Sequence, residues 1–249
     1  MSTKTIIFDL DNVLVESKFC LEKDTVSLLK SLLKNNYVAI LTGASWKQVQ
    51  KQVIEPLAGT ELELLNNLYL LPSSGGSLYQ VWSKYGWLPI WENFLQKSDI
   101  DIITRSIEKV KSNFQQPDKL WGKQVDIRES QITFSPLGQR APTEEKASWD
   151  PALVKRRGYV QALIQDLPQD YEVRLGGFAS VDITIRGLGK KYAIDRLIQH
   201  LHISRDDIIY VGSCIFDDGV GSVAQEIDLK SVVVVNQEET KAWIKSALV

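Results

Sequence analysis

Two aspartates separated by one residue close a short apolar run near the start of the chain, in the stretch FDLDN at positions 8 to 12. Carboxylates at that spacing can both reach one site if the chain turns as it leaves a strand. Close to each other and to a cation, one can stay ionised as a nucleophile while the other handles protons. A strand-end pair of this kind also reads as a helix cap or a solvated loop. Thr42, in LTGAS, follows a second apolar run, where a hydroxyl and nearby backbone N–H groups can hold a phosphoryl oxygen; the alternative is a plain turn residue. Lys190 opens a helical pattern at the end where the macrodipole disfavours positive charge, so a nearby anion is its natural partner; the alternative is a surface charge. DDIIYVGSCIFDDGVGS, from 206 to 222, begins as a buried strand and ends in glycines around Asp217 and Asp218. Those two acids read as cation ligands or as solvated loop charges.

Apolar spacing identifies the elements that must position these groups. KTIIFDLDN is rich in β-branched and aromatic residues and stops at acids, the pattern of a buried central strand. KDTVSLLKSLLKNN places Val26, Leu29, Leu32 and Leu33 on one helical face and stops at Asn35-Asn36. YVAILTG is a second strand, and SWKQVQKQVIEPL a helix opened by a capping box of Ser45 and Gln48. Strand, helix, strand, helix implies a parallel sheet, and open sheets of that kind bind ligands at the carboxyl ends of their strands. The pattern breaks after LYLLPSSGGSLYQ. LQKSDIDIITRSIEKVKSNF and DPALVKRRGYVQALIQDL are then helical, while QVDIRESQITFSPLG and YEVRLGGFASVDITI each read as a pair of strands. The alternating pattern resumes with KKYAIDRLIQHL, whose Ile194, Leu197, Ile198 and Leu201 share a face, followed by strands DDIIYVG and SVVVVN. The predicted division is a core domain from 1–83 and 188–249 with an α+β module, 84–187, inserted into it.

The totals narrow the classes of function. The 249 residues can bury a sizeable core, and 44% hydrophobic with 24% charged residues describes a globular chain. A net charge of −2 gives no electrostatic case for nucleic-acid binding, whereas a small anion needs only a local basic patch. No run approaches the ~20 apolar residues of a membrane span and MSTKTIIFDLDN does not resemble a signal peptide, so the expected location is the cytoplasm. Cys20 and Cys214 match no metal or redox spacing and are expected to be buried, reduced structural thiols. His200 and His202 read as charges at a helix C-terminus. Trp82, Trp87 and Trp91 read as hinge or interface packing, with sugar stacking and a self-association patch of a homodimer as alternatives.

In order along the chain, FDLDNVL, LTGAS, GKKYAIDRL and IIYVGSCIFDD resemble the four motifs of the haloacid dehalogenase (HAD) superfamily of phosphotransferases. The inserted module resembles that superfamily's type C2B cap. Within it, RESQITFSPLGQRAPTEEKASWDP and EVRLGGFASVDITIRGLGKKY are similar to the cap of phosphomannomutases and their bacterial relatives. The fold implied is α/β, a Rossmann-like parallel-sheet core with an inserted α+β cap domain. By position, the resemblance implies that Asp9 is the nucleophile that becomes phosphorylated. Asp11 would be the general acid/base and lend its carbonyl to Mg²⁺; Thr42 and Lys190 would bind the transferring phosphoryl group. Arg128 and Lys146 look like the basic residues that grip the substrate's distal phosphate, and Lys18 sits where the first-motif loop carries a further cation. Ser180 and Asp182 match positions that contact sugar hydroxyls. Gln139 stands where eukaryotic phosphomannomutases have Arg, which weakens that phosphate clamp and favours a bacterial-type relative.

The fourth motif departs from the family pattern. Phosphomannomutases usually have Gly-Asp and then Gly-Gly-Asn-Asp, where this chain has Gly212-Ser213 and then Asp218-Gly219-Val220-Gly221; Gly189 replaces the Asp that commonly precedes the lysine. Magnesium prefers carboxylate and water oxygens. Ser213 should therefore bind it less well than an acid would, unless Asp217 or Asp218 substitutes, and the candidate metal set is Asp9, Asp11, Ser213, Asp217 and Asp218. Three functions follow. One is a Mg²⁺-dependent phosphotransferase on hexose phosphates that interconverts mannose 6-phosphate and mannose 1-phosphate or related sugars, with a hexose bisphosphate as activator; Val13, where phosphatases commonly have Thr, leans this way. The second is a sugar-phosphate phosphatase, in which water attacks the aspartyl phosphate. The third is a catalytically weakened sugar-phosphate-binding protein. The expected partner is a small-molecule sugar phosphate, with no nucleic acid and no membrane.

Overall fold

The computed structural model describes residues 4–16, 19–177, 179–213 and 228–248, apart from the side chain of Lys84. In chain order the elements are β1 (Thr5–Asp9), α1 (Lys23–Leu33), β2 (Tyr37–Leu41), α2 (Trp46–Val49), α3 (Leu62–Leu65), β3 (Leu68–Leu71), β4 (Ser77–Trp82) and β5 (Gly86–Glu92). There follow α4 (Lys97–Lys111), β6 (Val125–Ile127), β7 (Gln131–Phe134), α5 (Thr143–Trp149), α6 (Val154–Asp166), β8 (Tyr171–Gly176) and β9 (Ser180–Ile185). The described elements end with α7 (Lys190–Leu201), β10 (Ile208–Gly212), β11 (Lys230–Val233) and α8 (Gln237–Ala247). They form two compact units, Met1–Glu92 with Gly189–Val249, and Asn93–Leu188.

The first unit is built on a seven-stranded sheet in the order β11-β10-β1-β2-β3-β4-β5. From β11 to β3 neighbouring strands are parallel, and β4 and β5 close the sheet as an antiparallel hairpin. A parallel strand covered on both faces needs apolar side chains at successive positions, and β1 meets that requirement with Ile6, Ile7 and Phe8 all buried. On one face, Ile6, Phe8, Val38 and Ile40 share a core with Leu29, Leu32 and Leu33 of α1 and Ile244 of α8. On the other, Ile7, Ala39, Leu41, Ile208 and Tyr210 share a core with Ala193, Ile194 and Leu197 of α7. Burying each such Leu or Ile contributes about 1.5–3 kcal/mol relative to exposing it. The capping box opening α2 is present, with Ser45 Oγ accepting from the Gln48 backbone N–H and the Gln48 side chain accepting from the Ser45 N–H.

Residues 84–92 differ from the sequence expectation, because β5 extends the first sheet rather than opening the inserted module. The hairpin register runs Leu78 opposite Trp91 and Tyr79 opposite Pro89, leaving Ile90 as an extra residue in β5. Such a bulge shifts the alternation of side chains by one position. Trp87 therefore packs against one core layer and Trp91 is buried in the other, while Trp82 stays 56% exposed. Cys20 also differs: it is exposed. Cys214 lies outside the described residues.

The second unit is a four-stranded antiparallel sheet, β6-β7-β9-β8, with α4 and α6 on one face. Strand alternation sends Ile132, Phe134, Val181, Ile183 and Val173 into a core with Ile103, Ile107 and Val110 of α4 and Tyr159 and Leu163 of α6. Asp150 accepts from the backbone N–H groups of Lys155 and Arg156 in the first turn of α6 and from Arg156 Nε at 3.3 Å. Arg156 is itself buried and donates to the Gly176 and Gly177 carbonyls. No helix among the described residues is long and apolar enough to cross a membrane.

Candidate active site

The rim of the first sheet gathers the residues that the sequence separates widely. Asp9 ends β1 between two parallel neighbours, opposite Leu41 of β2, and Phe8 is opposite Val211 of β10. Thr42 and Ser213, each just past the end of its strand, thus flank Asp9 on either side. After Asp9 the chain turns sharply. Asn12 takes a left-handed φ of 62° and donates to the Val15 carbonyl at 2.7 Å, and the Leu10 carbonyl accepts from Leu14 and Val15. Buried Leu10, Val13, Leu14 and Val15 pin this turn to the core, which leaves Asp11 partly buried next to the strand end.

Lys190 is the first residue of α7 and meets the acid that its helix position calls for. Its Nζ donates to both carboxylate oxygens of Asp9, each at 3.0 Å. Tyr210, whose role the sequence did not reveal, completes the group. Its hydroxyl accepts from Lys190 Nζ at 3.1 Å and donates to Asp9 Oδ1 at 2.7 Å. Burial works against the Lys190 ammonium, but the adjacent Asp9 carboxylate outweighs it, and the lysine holds its proton well above its ordinary range. Burial, reinforced by Asp9, likewise pushes the Tyr210 phenol up. The lysine ammonium and the tyrosine hydroxyl thus both donate to Asp9.

Thr42 is buried, and its Oγ1 accepts from the Ala44 N–H at 3.0 Å. A hydroxyl also has one proton to give, and among the described residues no acceptor takes it. The loop after β3 is tied in as well, with Ser74 N–H donating to the Thr42 carbonyl and Ser73 N–H to that of Ala44. Gly75, at φ +79°, lets α7 approach this loop, since an added Cβ would lie 2.0 Å from Ala193 Cβ.

The oxygen donors near the strand ends that could meet a hard cation are the Asp9 carboxylate, the Asp11 backbone carbonyl and the Ser213 hydroxyl, the last where the family pattern expects an acid. Among the described residues no group of three or more His, Cys, Asp or Glu could hold a metal ion. Magnesium commonly takes only one or two protein carboxylates and fills its shell with water and substrate phosphate, and the residues present fit that use. Asp217 and Asp218 lie outside the described residues, as does Lys18.

In the second unit, Arg128, Gln139, Ser180 and Asp182 lie on and around the polar face of its sheet. Asp126, Thr133, Asp182 and Arg174 form one row across all four strands, and Thr133 Oγ1 donates to Asp182 Oδ1 at 2.7 Å. Ser180 shares that face of β9, two residues from Asp182. Gly176 opposite keeps the space clear, because a Cβ there would meet Ser180 Oγ at 2.5 Å and Asp182 Oδ2 at 2.7 Å. Arg128, in the β6–β7 turn, donates from Nε to Asp126 Oδ2 at 2.9 Å. Gln139 Nε2 donates to Ser135 Oγ at 3.0 Å and to the Thr133 carbonyl at 3.3 Å, which ties its loop to β7. Lys146 stands on α5, partly buried. Arg128, Gln139, Ser180 and Asp182 are thus brought to neighbouring positions around Thr133 and Asp126.

The haloacid dehalogenase-like hydrolase family matches residues 6–214. A probable phosphomannomutase of Caenorhabditis elegans is 25% identical over 207 residues, 79% of this chain and 78% of that protein. A phosphomannomutase of Encephalitozoon cuniculi is 23% identical over 98% of this chain and 94% of its own length. Among solved structures, an N-terminally truncated, IMP-bound IMP-nucleotidase of Plasmodium falciparum superposes with a TM-score of 0.70 at 18% identity, covering 98% of this chain and 68% of that one, a likeness of fold.

Proposed function

The chain belongs to the haloacid dehalogenase-like hydrolase family, and from that premise we propose that it is a phosphomannomutase-like phosphotransferase that interconverts hexose 6-phosphates and 1-phosphates through an aspartyl phosphate on Asp9. One observation carries the reading: a lysine ammonium lies 3.0 Å from both oxygens of a carboxylate at the rim of a parallel sheet. Phosphoryl transfer is catalysed mainly by positioning and charge neutralisation, and this pair supplies a nucleophile with a cation beside it. Phosphomannomutases that align with most of the chain support the substrate class.

In this reading an Asp9 oxygen attacks phosphorus, the bond from phosphorus to the sugar oxygen breaks, and Asp11 returns a proton to the departing oxygen. Lys190 and the Thr42 hydroxyl hold the phosphoryl oxygens. A sugar monophosphate then takes the phosphoryl group from Asp9, with Asp11 removing the proton of its attacking hydroxyl. The bisphosphate so formed turns over in the site and returns the phosphoryl group at its other end to Asp9, releasing the isomeric monophosphate. Arg128 and Lys146, with Lys18 from the first-motif loop, grip the distal phosphate, Ser180 and Asp182 engage the sugar hydroxyls, and Gln139 stands in the position of an arginine. Asp9, Asp11 and Ser213, with Asp217 and Asp218 as further ligands, would hold a magnesium ion, which would neutralise phosphoryl charge. Hydrolysis by the same machinery is the second reading, supported by the family's hydrolase chemistry.

The test is a panel of hexose phosphates with Mg²⁺, with and without a hexose 1,6-bisphosphate, scored for isomerised sugar phosphate and for free phosphate. Bisphosphate-stimulated isomerisation is the expected result. Free phosphate without isomer would replace the mutase with a phosphatase, and neither product would overturn both.

A further inference from the structure

We infer that Tyr210 is a positioning residue for Asp9, selecting Oδ2 as the attacking oxygen and stabilising the carboxylate that leaves when the aspartyl phosphate breaks down. The inference rests on the reading of Asp9 as the phosphorylated residue.

The geometry makes the two Asp9 oxygens unequal. Oδ1 accepts from both Tyr210 Oη and Lys190 Nζ, whereas Oδ2 accepts from Lys190. More donors on an oxygen hold its lone pairs more tightly, which leaves Oδ2 the better nucleophile. The Tyr210 ring fills a slot in the core beneath α7 among Ile7, Ala193, Ile194 and Leu197, a slot phenylalanine would fill equally well. The hydroxyl is the difference, and it is spent on Asp9 and Lys190.

Once Oδ2 is bonded to phosphorus, Oδ1 is the carbonyl oxygen of an acyl phosphate and carries little negative charge. When an acceptor oxygen attacks phosphorus, the Oδ2–P bond breaks and its electron pair returns to the carboxylate, shared with Oδ1. The Tyr210 hydrogen bond strengthens as that charge grows and so favours breakdown. In the forward direction the same bond stabilises the starting carboxylate and brings no gain in the rate of loading. Removing the hydroxyl should therefore affect the two half-reactions unequally, which a merely structural defect would not do.

The experiment compares wild type with Tyr210→Phe, using radiolabelled acetyl phosphate with Mg²⁺ as the phosphoryl donor and acid quenching to trap the phosphoenzyme. Loading and, after a chase, breakdown are timed separately. A charge-assisted hydrogen bond that differs between the two states predicts breakdown slowed about tenfold in Y210F, loading changed less than about threefold, and more phosphoenzyme at steady state. Breakdown at the wild-type rate, or loading and breakdown slowed by the same factor, would overturn the inference. If Y210F does not fold, Tyr210→Met enters the same assay, and failure of both to fold would assign the hydroxyl to the fold and overturn it too. A wild type that acquires no hydroxylamine-labile phosphate on Asp9 refutes the proposed function instead.

Discussion

The ammonium of Lys190 stands 3.0 Å from each carboxylate oxygen of Asp9, although 181 residues separate the two in the chain. Their side chains retain 30% and 14% exposure, so the pair faces the rim rather than lying sealed in the core. Removing a preorganised charge from a reacting group typically costs about 10²–10³ in kcat. Lys190→Met is accordingly expected to lower kcat for the best hexose phosphate by at least about 10²-fold, with the far-ultraviolet circular dichroism spectrum unchanged. A loss below fivefold would remove Lys190 from the reaction.

Gly75 sets the distance between the loop after β3 and α7, the helix that carries Lys190. Gly75→Ala combines a left-handed φ of +79° with a Cβ placed 2.0 Å from Ala193 Cβ. Strain and overpacking together should destabilise the protein by about 2–4 kcal/mol in urea unfolding. The double variant with Ala193→Gly should recover the overpacking part; no recovery would locate the cost elsewhere.

Asp150 and Arg156 form a buried ion pair that also caps the first turn of α6. Asp150→Ala leaves the guanidinium buried without its carboxylate, a change that typically costs about 3–5 kcal/mol. Thermal or urea unfolding should register the loss, and a cost below about 1 kcal/mol would mean that water replaces the carboxylate.

Stability should fall in alkali. Burial, with Tyr37 nearby, pushes Tyr69 up to about 12, and burial together with the hydrogen bond to Asp99 does the same for Tyr171. Hydrogen bonds to Glu22 and Glu238 hold Lys241 at about 12. Each folded-state value lies above the unfolded one, so the folded protein binds more protons than the unfolded chain once pH exceeds about 10. This contribution is complete below that pH and is lost as pH rises through about 12. The urea midpoint should hold between pH 8 and 9.5 and decline steadily above 10; a flat profile to pH 11.5 would contradict these assignments.

Much of the framework was legible because it follows from patterning. The continuous apolar run of β1, the helical face of α7 and the Ser45–Gln48 box each have one low-energy interpretation. The run from 84 to 92 was not legible, since Pro89 and the extra residue Ile90 break the alternation that marks a strand while the hairpin still pairs. Tyr210 was hidden for a different reason: within IIYVG an aromatic residue reads as core, which its ring is, and only the fold shows that its hydroxyl reaches Asp9. Cys20 was expected to be buried, as free cysteines often are, but its place in the segment between β1 and α1 leaves it exposed.

Peptide mapping tests directly whether the Asp9 carboxylate carries the phosphoryl group. Wild-type protein is turned over with Mg²⁺ and its best hexose phosphate, quenched in acid, digested and analysed by mass spectrometry, alongside Asp9→Asn treated identically. The expected result is a hydroxylamine-labile phosphate on the peptide holding Asp9 in the wild type, with neither label nor turnover in the variant. Turnover persisting in Asp9→Asn, or a phosphate found on another residue, would contradict it.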